Sequence, residues 1–177
     1  VPRFALQFPS ADVPELAARF SYGKSDDDCL AAGAAARARG SYTRDELILI
    51  CAWKTERSKS RVATSTETEI EFATARAFRA DDEGKRIEAL TSLAGVGVPT
   101  ASALLFFAFP NDYPILDVRA LESLGQKARR IYPTPYWTDY LLACRRIAGE
   151  LSVPIRTLDK ALWQASKERT PDAGLTT

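Results

Sequence analysis

The stretch with the most specific chemistry reads Leu93-Ala94-Gly95-Val96-Gly97-Val98-Pro99-Thr100-Ala101. Its two glycines, set between amphipathic helices, predict a sharp chain reversal with positive φ. Pro99 suits the first turn of the next helix, where a missing N–H costs nothing. That helix start presents unpaired backbone N–H groups and the positive end of the peptide dipoles. Gly95, Val96, Gly97, Val98 and Thr100 therefore form a candidate anion site without a basic side chain. A phosphodiester is its natural ligand, held without regard to base sequence. A tight interhelical turn whose glycines serve packing alone fits the same residues, and spacing does not separate the two.

Two further groups carry chemistry. Asp117 follows the apolar pair Ile115-Leu116, so an apolar wall should strengthen its electrostatic interactions. Its place before Val118-Arg119-Ala120-Leu121 also suits a helix N-cap, a role compatible with chemistry. Trp53, Lys54 and Arg57 stand where an apolar helix gives way to a basic connection, Lys54 to Arg61. Their types suit aromatic stacking and contact with an anion. Core packing for Trp53 and a solvated loop for Lys54 to Arg61 remain open. Tyr113 fits a stacking site or a core aromatic. Arg129-Arg130 and Arg145-Arg146 fit a phosphate track or ordinary surface charge. Tyr136, Trp137, Tyr140 and Trp163 are expected to pack the C-terminal helices together.

Composition excludes several chemistries. The 177 residues contain no His, so there is no imidazole base, His triad or His metal ligand. Three scattered cysteines, Cys29, Cys51 and Cys144, make neither a zinc ribbon nor a disulfide framework, and point to a reducing compartment. The net charge of +1 gives no strong global attraction to nucleic acid but permits a local basic face. No apolar run approaches a membrane span, and the start, Val1-Pro2-Arg3-Phe4, lacks the order of a signal peptide.

The elements that must position these groups read as helices, with no convincing strand and no solenoid repeat. Residues 1–24 form an arm with one helical turn near Pro14. Ser25 caps a helix closed by Gly40, and Thr43 with Glu46 forms a capping box. The helix behind it, Leu47 to Trp53, is apolar nearly all round and is expected at the centre of the core. Further helices are expected over about 66–79, 83–93, 99–109, 117–125, 135–150 and 154–168, with a frayed tail over 170–177. The sum is one all-α domain, 1–177, of about eight helices.

Leu93-Ala94-Gly95-Val96-Gly97 with Thr100-Ala101, followed by Pro114-Ile115-Leu116-Asp117-Val118-Arg119 and Leu124-Gly125, resembles the helix-hairpin-helix and aspartate segments of the endonuclease III-like DNA glycosylase superfamily. The likeness covers Thr43 to Gly125 and is strongest within 91–125. The chain is also similar to small bacterial proteins carrying Trp-Lys-x-x-Arg-Ser, Pro-Ile-Leu-Asp and Ala-Leu-Trp-Gln, found here at Trp53–Ser58, Pro114–Asp117 and Ala161–Gln164. The resemblance implies a helix-hairpin-helix glycosylase-like fold and excision of a damaged, mismatched or modified base flipped from double-stranded DNA.

It also implies roles. Asp117 would stabilise the sugar cation formed as an N-glycosidic bond breaks, and position water, as carboxylates do in O-glycoside hydrolysis. Trp53, Lys54, Arg57 and Tyr113 would line the base pocket. The amides of Gly95, Val96, Gly97, Val98 and Thr100 would hold a phosphate. The carbonyls of Thr91, Leu93 and Val96 would bind a K+ or Na+ ion. Pro99 stands where bifunctional relatives carry a Schiff-base Lys, so the implied enzyme is monofunctional. The cysteines cannot supply an iron–sulfur cluster, so no other cofactor is expected. The implied state is a bacterial, cytoplasmic, nucleoid-associated monomer with no membrane partner. A non-catalytic DNA-binding module and a protein-interaction domain of the same fold are the alternatives. Under the enzyme reading, Asp117 and the Trp53-Lys54 turn must face one cavity despite their separation in sequence.

Overall fold

A computed structural model describes residues 3–170. Val1, Pro2 and, beyond Thr170, the expected tail lie outside the described residues. Among those described there is no strand, and ten α-helices follow one another: α1 (Val13–Ala18), α2 (Asp27–Arg39), α3 (Arg44–Lys54), α4 (Glu56–Val62), α5 (Glu67–Arg79), α6 (Glu83–Thr91), α7 (Val98–Ala108), α8 (Val118–Ser123), α9 (Thr134–Glu150) and α10 (Ile155–Arg169).

Local chemistry sets most boundaries. Capping boxes start α3 at Thr43/Glu46 and α5 at Thr66/Glu69. Gly40 ends α2 in the left-handed region at φ 93°. Asp26, not Ser25, is the N-cap of α2, although the Ser25 hydroxyl accepts the Asp27 N–H at 3.2 Å.

The centre of the core differs from the sequence reading. It is α7, which carries no charged residue and is buried at every position but Pro99. α3 is one-sided: Leu47, Ile50, Cys51 and Trp53 face in, while Leu49 is exposed. α7 is enclosed by α2, α3 and α6. At the α2 crossing, a Cβ on Gly33 would lie 2.0 Å from the Phe107 carbonyl oxygen, so only glycine fits there. The Tyr42 hydroxyl donates to the Leu104 carbonyl at 2.7 Å and ties the α2–α3 connection to the same helix.

The basic connection after α3 is also different. Thr55 is extended (φ −162°, ψ 122°), and the chain then re-enters a helix, α4. Glu, Arg and Lys are adequate helix formers, and Val62 alone anchors this helix in the core. One anchor gives no apolar period for a sequence reading to detect.

The N-terminal arm is stitched to the end of α8. The Ala5 and Gln7 N–H groups donate to the Leu124 and Ser123 carbonyls at 3.3 and 2.9 Å. Phe4 packs edge-on against Tyr136 and Tyr140. α1 then lies along α10.

Candidate functional site

Asp117 ends a short non-helical segment, 114–116, that three helices hold in place. The Ile115 N–H donates to the Asp159 carboxylate of α10 at 3.0 Å. The Leu116 N–H donates to the Ser102 hydroxyl of α7 at 2.9 Å. The Tyr140 hydroxyl of α9 donates to the Ile115 carbonyl at 2.9 Å. Asp159 is itself buried; burial pushes its carboxyl above the ordinary value, and the Arg156 guanidinium only partly offsets this. Such a clamp fixes the backbone of Asp117 independently of its side chain.

The side chain then has two partners. Oδ1 accepts the Arg119 N–H at 2.9 Å and caps α8. Oδ2 accepts from Lys54 Nζ, the last residue of α3, at 2.8 Å. The pair is largely enclosed, with side-chain exposures of 10% for Lys54 and 25% for Asp117. Burial is the largest influence on the Asp117 carboxyl and acts upward. The Lys54 charge and hydrogen bond, with the Arg119 N–H, outweigh it, so the pKa lies below the ordinary value and the group is a carboxylate at neutral pH.

Asp117 and Lys54 stand between two spaces. On one side is an open groove of about 690 Å³, whose walls include Arg57, Gly97–Thr100 and residues 129–134. Of its charged lining residues, Lys54, Arg57, Arg129 and Arg130 are basic and Asp117 alone is acidic. On the other side is a recess of about 20 Å³, room for one water molecule. It is walled by Phe20, Tyr22, Trp53 and Trp163, with Arg156 and Asp159 behind. Tyr22 lies 4.8 Å from Trp53 and 5.5 Å from Trp163, centroid to centroid. Burial and the Asp117 charge push its hydroxyl pKa up.

The α6–α7 turn divides the roles of its glycines. Gly95 has φ 79°, and a Cβ there would lie 2.7 Å from Arg61 Cβ and 3.0 Å from the Val62 nitrogen. Gly95 therefore serves the reversal and close packing on α4. Gly97 does not share the expected positive φ: it is extended (φ −87°, ψ 172°), exposed, and is the N-cap of α7. A Cβ on Gly97 would meet only Pro99 Cδ, at 3.8 Å. The Val96 N–H is turned inward, to the Leu93 carbonyl at 3.1 Å, so it is not available to an anion. That bond leaves the Leu93 carbonyl one lone pair for a cation. The first intrahelical bond runs from the Ala101 N–H to the Gly97 carbonyl at 2.8 Å. The Val98 and Thr100 amides precede it and belong to the unpaired first turn of the helix; Pro99 contributes no donor.

Trp53, Lys54, Arg57 and Asp117 are thus brought together, and Asp117 and the Trp53-Lys54 turn do share one site. Trp53 is 7% exposed, stands edge-on to Phe107 at 4.9 Å, and its buried Nε1–H has no hydrogen-bond partner among the described residues. Arg57 is exposed on the groove wall. Tyr113 is not brought to the site. It is buried, donates to Glu83 at 2.8 Å and packs near Arg86 and Arg145; burial and Glu83 push its pKa up to about 12. Arg129 and Arg130 line the groove, whereas Arg145 is held by Glu83 and Arg146 by Glu150. Tyr136, Trp137 and Tyr140 pack the interior as expected, but Trp163 forms a wall of the recess. Phe20, Tyr22, Ser102 and Asp159 are site residues that the sequence reading missed. Only the pairing of Trp163 with the Pro114–Asp117 segment as recurring motifs hinted at this wall.

Comparison of the chain with protein-family models, with curated proteins and with solved structures found no match. Among the described residues, no helix is long and apolar enough to cross a membrane.

Proposed function

We propose that the protein binds double-stranded DNA along the groove and acts there as a monofunctional DNA N-glycosylase, with a helix-hairpin-helix glycosylase-like fold. The carrying observation is the placement of Asp117. Its carboxylate follows a backbone segment clamped by three helices, and it opens onto a groove whose other charged lining residues are basic and which reaches the start of α7. The Val98 and Thr100 amides, with Arg57, Arg129 and Arg130, take backbone phosphates. Lys54 donates to Asp117 in the free protein and turns to a phosphate or to the base when a nucleotide enters. The freed Oδ2 then faces the sugar. As the N-glycosidic bond breaks, the base leaves with the bonding electron pair and the carboxylate stabilises the positive charge on the sugar; water then attacks the same carbon and gives its proton to the Asp117 carboxylate, which passes it to the departed base. A hairpin of this kind also suits a monovalent cation at the Thr91, Leu93 and Val96 carbonyls, which would neutralise a bound phosphate.

The recess beside Asp117 is smaller than a base, so the enzyme reading requires Phe20 and Tyr22 to move outward. Both belong to the irregular segment between α1 and α2, tied down by Lys24 on the Ala52 and Trp53 carbonyls and by Asp26 on Arg156. The narrowness of this recess favours a second reading, a duplex-binding module without catalysis. The cationic groove argues against an interaction domain unrelated to nucleic acid.

A panel of modified-base duplexes separates the readings. The enzyme should leave an intact abasic strand, cleaved only on added alkali or heat, and no adduct trapped by borohydride, since Pro99 offers no amine. Binding to every duplex with no alkali-labile product from any would leave the module. A trapped adduct would contradict the monofunctional assignment and direct attention to Lys54.

A further inference from the structure

Phe20 and Tyr22 close the recess beside Asp117, and the chain that carries them is held differently on the two sides of Gly23. Ahead of Gly23 the contacts are polar and run to α10. Arg19 pairs with Glu168 at 3.0 Å, the Ser21 N–H donates to the Gln164 side chain at 3.3 Å, and Lys167 donates to the Ser21 carbonyl at 2.9 Å. The two charged contacts are exposed, so each contributes little. Beyond Gly23 the contacts turn inward. Lys24 donates to the Trp53 carbonyl at 3.0 Å, and Asp26 pairs with Arg156 at 2.6 Å, with side-chain exposures of only 19% and 18%. Arg156 also pairs with Asp159, whose other oxygen accepts the Ile115 N–H, and its guanidinium lies over the Phe106 ring at 4.5 Å. This side is therefore continuous with the clamp that sets Asp117. Gly23 itself has φ 83°, and a Cβ there would meet nothing within 4 Å, so backbone conformation rather than packing calls for glycine.

Phe20 touches both parts. Its ring stands edge-on to Trp163 at 5.3 Å, and the Arg156 guanidinium lies over it at 5.3 Å. When Phe20 swings away to admit a guest, Arg156 loses that neighbour, but Asp26 and Phe106 still hold it against Asp159. We infer that residues 19–23 are a gate over the recess, opening to a flat aromatic guest, and that Asp26, Arg156 and Asp159 form a fixed post that keeps Asp117 in place while the gate is open. Arg156 is thus a positioning residue, acting on Asp117 through Asp159 and the Ile115 amide. Such a division admits a guest without loosening the group that must meet it. The identity of the guest as a base rests on the function proposed above. The gate and the post are contacts of the free chain and are tested without it.

Amide hydrogen exchange of the full chain, with no DNA present, reads the two parts separately. The Ser21 N–H reports the gate, the Ile115 N–H reports the post, and the interior amides of α7 report global unfolding. Lys167→Met removes the exposed bond to the Ser21 carbonyl and should speed Ser21 exchange about fivefold, with Ile115 and α7 unchanged. Asp26→Ala removes one side of the post and should speed Ile115 exchange about tenfold, with α7 unchanged. Asp26→Asn keeps an oxygen for Arg156 and should lie between Asp26→Ala and the wild type. Ile115 exchange that rises together with Ser21 in Lys167→Met would overturn the independent gate. Wild-type exchange at Ile115 in Asp26→Ala, or an equal rise at Ile115 and α7, would overturn the post. Neither failure touches duplex binding, and a protein that binds no duplex would leave the gate and post standing.

Discussion

The two oxygens of Asp117 have different partners, and the difference defines what each substitution will do. Oδ1 caps α8 and Oδ2 holds Lys54. Removing Lys54 leaves burial as the largest influence on the carboxyl, so in Lys54→Met its pKa should rise above the ordinary value. In the wild type the folded pKa lies below the unfolded one. The pair therefore contributes stability above the unfolded pKa, and that contribution is lost as pH falls through the folded value. In Lys54→Met the sign reverses: the uncompensated carboxylate opposes folding at neutral pH and is relieved as it protonates. Stability should drop by about 2 kcal/mol at neutral pH, with the loss shrinking in acid. Urea unfolding across this range and a carbon NMR titration of Asp117 measure both effects. An unchanged Asp117 midpoint would show that Lys54 does not govern the carboxylate.

Helix packing supplies two sharper tests. Gly33→Ala would drive a Cβ into the Phe107 carbonyl at the α2–α7 crossing. Since this is backbone against backbone, the helices must separate, at a cost of about 3 kcal/mol; a melting temperature equal to wild type would contradict the packing described. Gly97→Glu is the opposite case, with an ordinary φ and open space around the new side chain. It should fold normally and weaken duplex binding by placing a carboxylate at the start of α7. Loss of one phosphate contact should reduce the log–log salt slope by about 0.9. Unchanged binding would remove this turn from the interface. The same contrast explains what was legible in the sequence. Gly40, the Thr43/Glu46 box and the Asp117 cap are contacts within a few residues, and their residue types announce them. Gly33 needs the backbone of α7, the recess needs Phe20 and Tyr22 to fold back over Trp53, and the clamp on 114–116 needs Asp159 from α10. The α2–α7 crossing brings the first pair together, and the return of α10 along α1 and α8 brings Asp159 to the clamp. α4 escaped notice for a different reason, its single buried anchor.

At the scale of the whole molecule, a net charge of +1 is compatible with a locally cationic groove. Arg145, Arg146 and Arg156 are paired with acids, while Arg57, Arg129 and Arg130 face the groove. Duplex binding should accordingly be salt-sensitive and weakly sequence-selective, a property of one face rather than of total charge. On this face Asp117 is the acidic lining residue, and its carboxylate is unfavourable for DNA binding as such. Its presence there is the central reason to read the groove as catalytic. Single-turnover excision by Asp117→Asn, on whichever modified duplex the wild type cleaves, tests this directly. Asn can still accept the Arg119 N–H and cap α8, so the fold should persist. The rate should fall by about 10² to 10³, or about 3–4 kcal/mol of transition-state stabilisation, with duplex affinity retained or increased. Excision at the wild-type rate by the folded Asn variant would contradict the assignment of Asp117.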